Sequence, residues 1–284
     1  MEENFTVPIT RPQSFQAPPP SQKQEVTFPT EVIELPSKGF FYKENDPLSS
    51  GKVELKMMTA KEEDILTSEN LIKKGVVLDK LLESLIVDKS IKIENILIGD
   101  KNALYVAARR LAYGDNYGPV GVVCKNCREE SKIDINLAEL KDKDFDFSKY
   151  SKAENSLSFT LPYSKKLVTV KLATTLEEQQ IENELKSISK LNKGGQSAEI
   201  TTRLKHVITS IDGNTDKVFI RKFVDTELLS RDSIELRKFI RQNSPDLDMT
   251  FNFTCPNCNS DDRSEVPMTV QFFWPNNWVQ TVCS

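Results

Sequence analysis

The hydrophobic positions of this chain change period several times, and each change marks an element. From 31 to 58, EVIELPSKGFFYKENDPLSSGKVELKMM reads as short extended pieces, with turns at Pro36 and Gly39 and at Asn45-Asp46-Pro47 with Gly51. A helical period then begins. Thr59-Ala60-Lys61-Glu62 fits a capping box, in which a hydroxyl and a carboxylate satisfy orphan amides reciprocally. The run carrying Ile65, Leu66, Leu71 and Ile72 continues to Lys73-Lys74 and stops at Gly75. A second helix is predicted over 76–88, with Val77, Leu78, Leu81, Leu82 and Leu85 on one side. A third takes Asp100 as N-cap, turns Leu104, Ala107, Ala108 and Leu111 to the core, and closes at Gly114. These three form a small helical subdomain.

Further along, 156–172 alternates as a hairpin around Pro162-Tyr163-Ser164. Thr175 with Glu178 reads as a second capping box, opening a helix through Ile181, Leu185, Ile188 and Leu191 that Gly194-Gly195 ends. The next helix is expected over about 197–211, with Ile200, Leu204, Val207, Ile208 and Ile211 forming its stripe. Asp212-Gly213-Asn214 is a turn, and a final helix runs from about 231 to 242, where Asn243-Ser244-Pro245-Asp246 breaks it. No internal repeat occurs at solenoid periods.

Composition changes the picture mainly at the start. Residues 1–30 hold six of the 14 prolines and no glycine, so they cannot bury enough apolar surface to offset their ordering entropy. They read as a disordered Pro-rich arm, with Phe5, Phe15 and Phe28 as candidate anchors for a partner. The whole chain has 284 residues, 38% hydrophobic and 28% charged, which suits about two globular units. No apolar run reaches membrane-spanning length, and the first residues have neither a basic nor an apolar signal region. A net charge of −4 argues against a generally polybasic nucleic-acid or membrane binder. Five cysteines are too few and too oddly counted for a disulfide framework, which places the chain in a reducing cytosol.

The chain has one histidine, His206, which leaves little for catalytic zinc or imidazole acid–base chemistry. On a 197–211 helix it points roughly 140° from the apolar stripe at about 100° per residue, as a solvated surface residue. No GxSxG, GxxxxGK[ST] or GxGxxG occurs, so nothing activates a serine or cradles a phosphate. A binding or assembly protein is the class that remains.

Cys124-Lys125-Asn126-Cys127 and Cys255-Pro256-Asn257-Cys258 carry the clearest chemistry. Each CxxC turn can aim two sulfurs at one ion, and two such knuckles complete a tetrahedron. Their settings match, since GPVGVVCKNCREESKIDINL and DMTFNFTCPNCNSDDRSEVPMTVQFF both read as strand, knuckle, strand. The two hairpins therefore form a zinc-ribbon-like unit holding one structural zinc per chain, with Cys124, Cys127, Cys255 and Cys258 as ligands. Ordinary ribbons separate their pairs by about 15–20 residues. Here 127 residues intervene, so the hairpins must meet across the fold. Redox-active CxxC pairs should open a helix after a strand, and neither does; an unmetallated pair of knuckles is the other alternative. Cys283 is left over without a role.

Lys125 and Arg128 lie at the first knuckle, yet Glu129, Glu130, Asp261 and Asp262 surround them, which disfavours nucleic acid. In FFWPNNWVQTV, an alternating strand would send Phe272 or Phe273 to the core. Trp278, beyond Pro275, has less to pack against in its own strand and is a candidate partner contact.

Five segments occur in an order that resembles a known family: LPSKGFFY (35–42), MTAKEEDIL (58–66), LIGDKNALYVAARRLAYGDNY (97–117), the knuckle after it, and CPNC with FFWP (255–258, 272–275). They are similar to the baseplate hub proteins, or hub assembly chaperones, of T4-like contractile-tailed phages. The resemblance implies a non-enzymatic role in building the baseplate hub, acting in the host cytoplasm or the virion tail. Its implied partners are other baseplate hub and tail proteins, with no small-molecule substrate and no membrane. The different-class alternatives are a zinc-ribbon nucleic-acid-binding protein and a tail-tip cell-wall hydrolase.

The expected architecture is α+β, with helical subdomains around the zinc-ribbon-like pair of hairpins. Its expected divisions are the arm 1–30, an extended and helical part 31–118, two ribbon halves 119–137 and 247–274, an insertion 138–246, and a tail 275–284.

Overall fold

The computed structural model describes residues 29–191 and 197–274. Phe5, Phe15 and Phe28 of the arm, the Gly194-Gly195 helix stop, Trp278 and Cys283 lie outside the described residues. Within them the fold is mixed α and β, with eight α-helices and four small antiparallel sheets.

The extended start forms the first sheet. β1 (Thr30–Glu34) pairs with β2 (Lys52–Lys56), with Val32 opposite Glu54. The connection between them is held by two glycines at positive φ, Gly39 and Gly51. A Cβ on Gly39 would lie 2.4 Å from the Ser49 carbonyl oxygen, so no other residue fits without moving backbone.

The helical run after it is broken. α1 (Ala60–Thr67) and α2 (Glu69–Lys74) are separate, because Ser68 leaves helical geometry and its carbonyl restarts the ladder by accepting the Leu71 and Ile72 amides. The Thr59–Glu62 box is present, and Glu62 accepts the Thr59 amide at 2.9 Å. α3 (Val77–Leu85) follows, with Val77, Leu81, Leu82 and Leu85 buried. α4 (Ile98–Tyr113) starts before the expected cap: Leu97 takes that place and Asp100 sits inside the first turn, fully buried. There Asp100 accepts Ser37 N (2.9 Å), Ser37 Oγ (2.6 Å) and the Tyr42 hydroxyl (2.6 Å). The Tyr42 oxygen in turn accepts the Leu97 amide at 2.9 Å, so a distant side chain caps this helix.

β3 (Asn116–Val123) and β4 (Glu130–Asn136) form the first cysteine hairpin. β5 (Leu157–Thr160) and β6 (Leu167–Val170) form the expected second hairpin, and a third strand joins it. That strand, β7 (Ile208–Ile211), corrects the helix expected over 197–211. α6 (Glu199–Val207) ends at Val207, and the β-branched run Ile208-Thr209 crosses to pair with β6, burying Ile208 and Ile211 in a sheet. The preceding α5 (Thr175–Leu191) is capped one residue earlier than expected, by Thr174 with Glu177. Thr175 is instead buried, its hydroxyl on the Ile96 carbonyl.

His206 is likewise not a solvated surface residue. Its side chain is 15% exposed, and Nε2 lies 2.8 Å from Glu184 on α5. α6 packs against α5, so the face away from its apolar stripe is covered too, and His206 meets Glu184 of α5 there. α7 (Lys217–Thr226), not anticipated from the pattern, is capped by Asp216, which accepts the Val218 and Phe219 amides. Its Arg221 makes a paired contact with Glu184 at 2.8 Å on both oxygens. α8 (Ser230–Gln242) leads to the last hairpin, β8 (Thr250–Thr254) and β9 (Asp261–Glu265).

Phe272 and Phe273 lie in a 3-10 turn (Val270–Phe273), not an alternating strand, and both are fully buried. Phe272 packs on Tyr117 of β3 and Phe273 on Tyr105 of α4, with centroids 4.8 and 6.1 Å apart. Arg109 Nε donates to the Phe272 carbonyl at 2.9 Å. One continuous buried cluster thus runs from Leu35 to Phe273 and joins the start of the described chain to its end.

Candidate metal centre

The two cysteine hairpins are the same structure repeated 131 positions later. Val123 pairs with Glu130 and Thr254 with Asp261; Val122 pairs with Ser131 and Phe253 with Asp262. At the tips, the Cys124 amide donates to Glu129 O and the Arg128 amide returns to Cys124 O. The Cys255 amide donates to Ser260 O and the Asn259 amide returns to Cys255 O in the same way. The residue after each second cysteine turns left-handed, Arg128 at φ 65° and Asn259 at φ 54°. Asn tolerates that conformation; Arg adopts it at a cost the closed turn must offset.

Each hairpin buries its first cysteine fully and its second partly. The tips meet, bringing all four Sγ atoms within 4.8 Å of one another. Two close approaches run across the hairpins, Cys124 to Cys258 at 3.8 Å and Cys127 to Cys255 at 3.7 Å. Sulfurs about 2.3 Å from a tetrahedral ion stand about 3.8 Å apart, so the observed spacing fits a four-thiolate metal site. The four thiols could hold a metal ion.

Proximity moves the thiols in opposite directions. Backbone amides of Asn257 and Cys258 pull the Cys255 thiol down to about 6. At Cys127 the Glu129 amide pulls downward, but desolvation and the three neighbouring sulfurs outweigh it and push the thiol up to about 12. Four thiolates this close repel one another unless a cation sits among them.

A polar latch braces the clamp. The Lys125 amide donates to Asp262 Oδ2 at 2.8 Å, and Lys125 Nζ reaches Asp262 Oδ1 at 2.9 Å and the Arg263 carbonyl at 2.8 Å. Lys125 Nζ, the Lys125 amide and the Arg263 amide, in that order, lower the Asp262 carboxyl to about 2. The symmetric position on the second tip is Pro256, which has no amide to donate; there the Asn257 side chain reaches Ser131 Oγ instead. Asn126 completes the contact by donating to Cys258 Sγ at 3.6 Å. In the sequence, Asp262 shows only as one acid among several near the knuckles; its pairing with Lys125 depends on the two tips meeting.

The four cysteines are the predicted site residues that the fold brings together. Phe5, Phe15, Phe28 and Trp278 lie outside the described residues. Among the described residues no helix is long and apolar enough to cross a membrane.

A scaffold whose two sequence-distant hairpins close on a four-thiol cluster defines the protein's class. A family model described as T4 bacteriophage base plate protein matches residues 30–274, from β1 through both hairpins to the buried Phe272-Phe273 turn. The chain belongs to this family of phage baseplate proteins. No curated protein matches it, and no solved structure does.

Proposed function

We propose that this protein is a non-enzymatic component of the baseplate hub, acting as a structural subunit or an assembly chaperone while the contractile tail is built in the host cytoplasm. The observation that carries this reading is the family match across nearly all of the described fold. The chemistry supports it: the clustered cysteines would all serve as ligands, which leaves no open coordination position for a substrate.

The ion we assign to the site is zinc, one per chain, held by Cys124, Cys127, Cys255 and Cys258. Zinc has no redox chemistry of its own and accepts four thiolates without geometric preference, so bound there it would supply a crosslink between hairpins. Around this zinc-ribbon-like unit (119–137 and 247–274), the parts 31–118 and 138–246 would present faces to other hub and tail proteins. The arm, with Phe5, Phe15 and Phe28, would tether a neighbour at high effective concentration, and Trp278 of the tail would add a contact. Nucleic acid is a poor fit, since Lys125 at the first tip is already engaged by Asp262.

Mass spectrometry on purified virions beside hub assembly intermediates tests this reading. Stoichiometric recovery from virions makes the protein a permanent hub subunit. Recovery from intermediates alone makes it a chaperone. Absence from both overturns the hub role.

A further inference from the structure

β1 is the outer strand of a two-stranded sheet whose other side is covered. Beyond β2, the Val87 amide donates to Glu54 O and Leu55 bridges Ile86. No described residue pairs with the outer side of β1. Both ends of the ladder set its parity: the Met57 amide donates to Pro29 O, and the Leu35 amide donates to Gly51 O. Odd-numbered residues therefore exchange hydrogen bonds with β2, and the N–H and C=O groups of Thr30, Val32 and Glu34 point the other way. Val32 is 57% exposed, and all of β1 except the half-buried Ile33 is exposed. A groove of about 230 Å³ lies against β1, lined on its other side by Ala103, Val106 and Ala107 of α4 and by Leu137 and Leu140.

We propose that this edge pairs with the same edge of a second copy, antiparallel about a two-fold axis through Val32. Only one register suits the strand. Centred on Val32, it sets Thr30 opposite the partner's Glu34 and Glu31 opposite the partner's Ile33, so no glutamate faces a glutamate. Its three outward residues then exchange about six hydrogen bonds with the partner's three. Centring on Glu31 places that residue against the partner's Glu31. Centring on Ile33 sets Thr30 against the partner's Pro36, which has no N–H to donate, and leaves only Val32 and Glu34 to exchange about four hydrogen bonds.

The outer face is also balanced in charge. Glu34 is 3.2 Å from Lys52 of its own sheet, and the next two positions across the axis are the partner's Thr30 and the partner's Lys56. Pro29 and Pro36 bracket the strand and limit its length. Pro29 falls on the β2 side by parity, so its missing N–H takes nothing from the outer edge. The result is a continuous four-stranded sheet, β2-β1-β1-β2. Its five-residue ladder is small beside the about 800 Å² per partner of a standard interface, so the dimer is weak and concentration-dependent.

Sedimentation velocity on the full chain across a wide concentration range tests this. A reversible monomer–dimer equilibrium is expected. Val32→Pro removes an outward N–H and leaves the β1–β2 hydrogen bonds in place, and it should raise the dimer dissociation constant at least tenfold with an unchanged thermal melt. Val32→Glu and Val32→Lys each set like charges on the axis and should be monomeric alone, yet a mixture of the two should dimerise. The mixture decides the matter should the proline variant melt early. A chain that stays monomeric throughout, or a mixture of the charged variants that does, overturns the proposal.

Discussion

Lys125 and Asp262 bind each other twice across the two cysteine hairpins, once through the lysine amide and once through its ammonium group, at 2.8 and 2.9 Å. One contact depends on the side chain and the other only on the backbone, so the two substitutions should differ. Asp262→Ala loses both and should weaken metal retention roughly 10–100-fold against a competing chelator. Lys125→Ala keeps the amide contact and should cost less. Equal losses would mean that the latch works through charge alone.

Metal analysis of protein purified under reducing conditions should find about one zinc per chain. Cys127→Ser or Cys258→Ser should reduce that occupancy and lower the melting temperature, and chelation of the native chain should lower it as well. Metal-free protein that melts like the native chain would remove zinc from the account.

Glu62 supplies an acid-sensitive contact away from the cysteines. Burial pushes its carboxyl up, but hydrogen bonds from Lys56, Thr59 and Ser84 outweigh that and hold it at about 2. A depressed carboxyl contributes stability above its unfolded value and loses it as pH falls toward the folded one. The contribution, on the order of 2–3 kcal/mol, should therefore be complete above about pH 5 and disappear between about pH 4.5 and pH 2. Chemical denaturation of Glu62→Gln and native protein should differ at pH 7 and converge in acid.

Asp100 is the acceptor for three donors in a fully buried place. Asp100→Ala should destabilise the chain by about 3 kcal/mol or more, because it leaves the Ser37 amide, the Ser37 hydroxyl and the Tyr42 hydroxyl unpaired. Ser37→Ala also frees the Gly39 amide, which Ser37 Oγ accepts at 3.2 Å, but it leaves Asp100 its contacts with the Ser37 amide and Tyr42 and should cost less. Urea melts of the two variants measure the difference.

Deleting residues 2–28 should leave the thermal melt intact while weakening a complex with a hub partner. Co-purification from infected cells reads this, and unchanged binding would reduce the arm to a passive tail.

Much of this fold was legible in the sequence wherever a signal was local. The Thr59–Glu62 box, the Gly75 and Gly114 stops and the two matched hairpins rest on residues within a few positions of one another. The errors came where distant parts decide. Ile208 and Ile211 fit a helical stripe as well as a strand, and β6 made the choice. Asp100 resembles an N-cap until Ser37 and Tyr42 take its carboxylate inward. His206 does point away from its helix's apolar stripe, but α5 covers that face and brings Glu184 to it from 22 positions away. The site was legible because two CxxC pairs in matched settings have few other uses; the Lys125–Asp262 latch was not, because it exists only once the hairpins meet.

The distance between the two cysteine pairs also gives the site a place in time. A chain emerging from the ribosome at about 5–20 residues per second presents Cys124 and Cys127 roughly ten seconds before Cys255 and Cys258. Until then the first hairpin holds only two of the four thiols, and the polypeptide between the pairs must already have brought its ends together. An ion joining the pairs would then tie off a loop of about 130 residues, which by the chain-entropy argument for crosslinks removes about 5 kcal/mol of freedom from the unfolded ensemble. With an ion bound as proposed, the centre would register synthesis through Cys258: a polypeptide that stops short of it cannot lock, however well its earlier segments have folded.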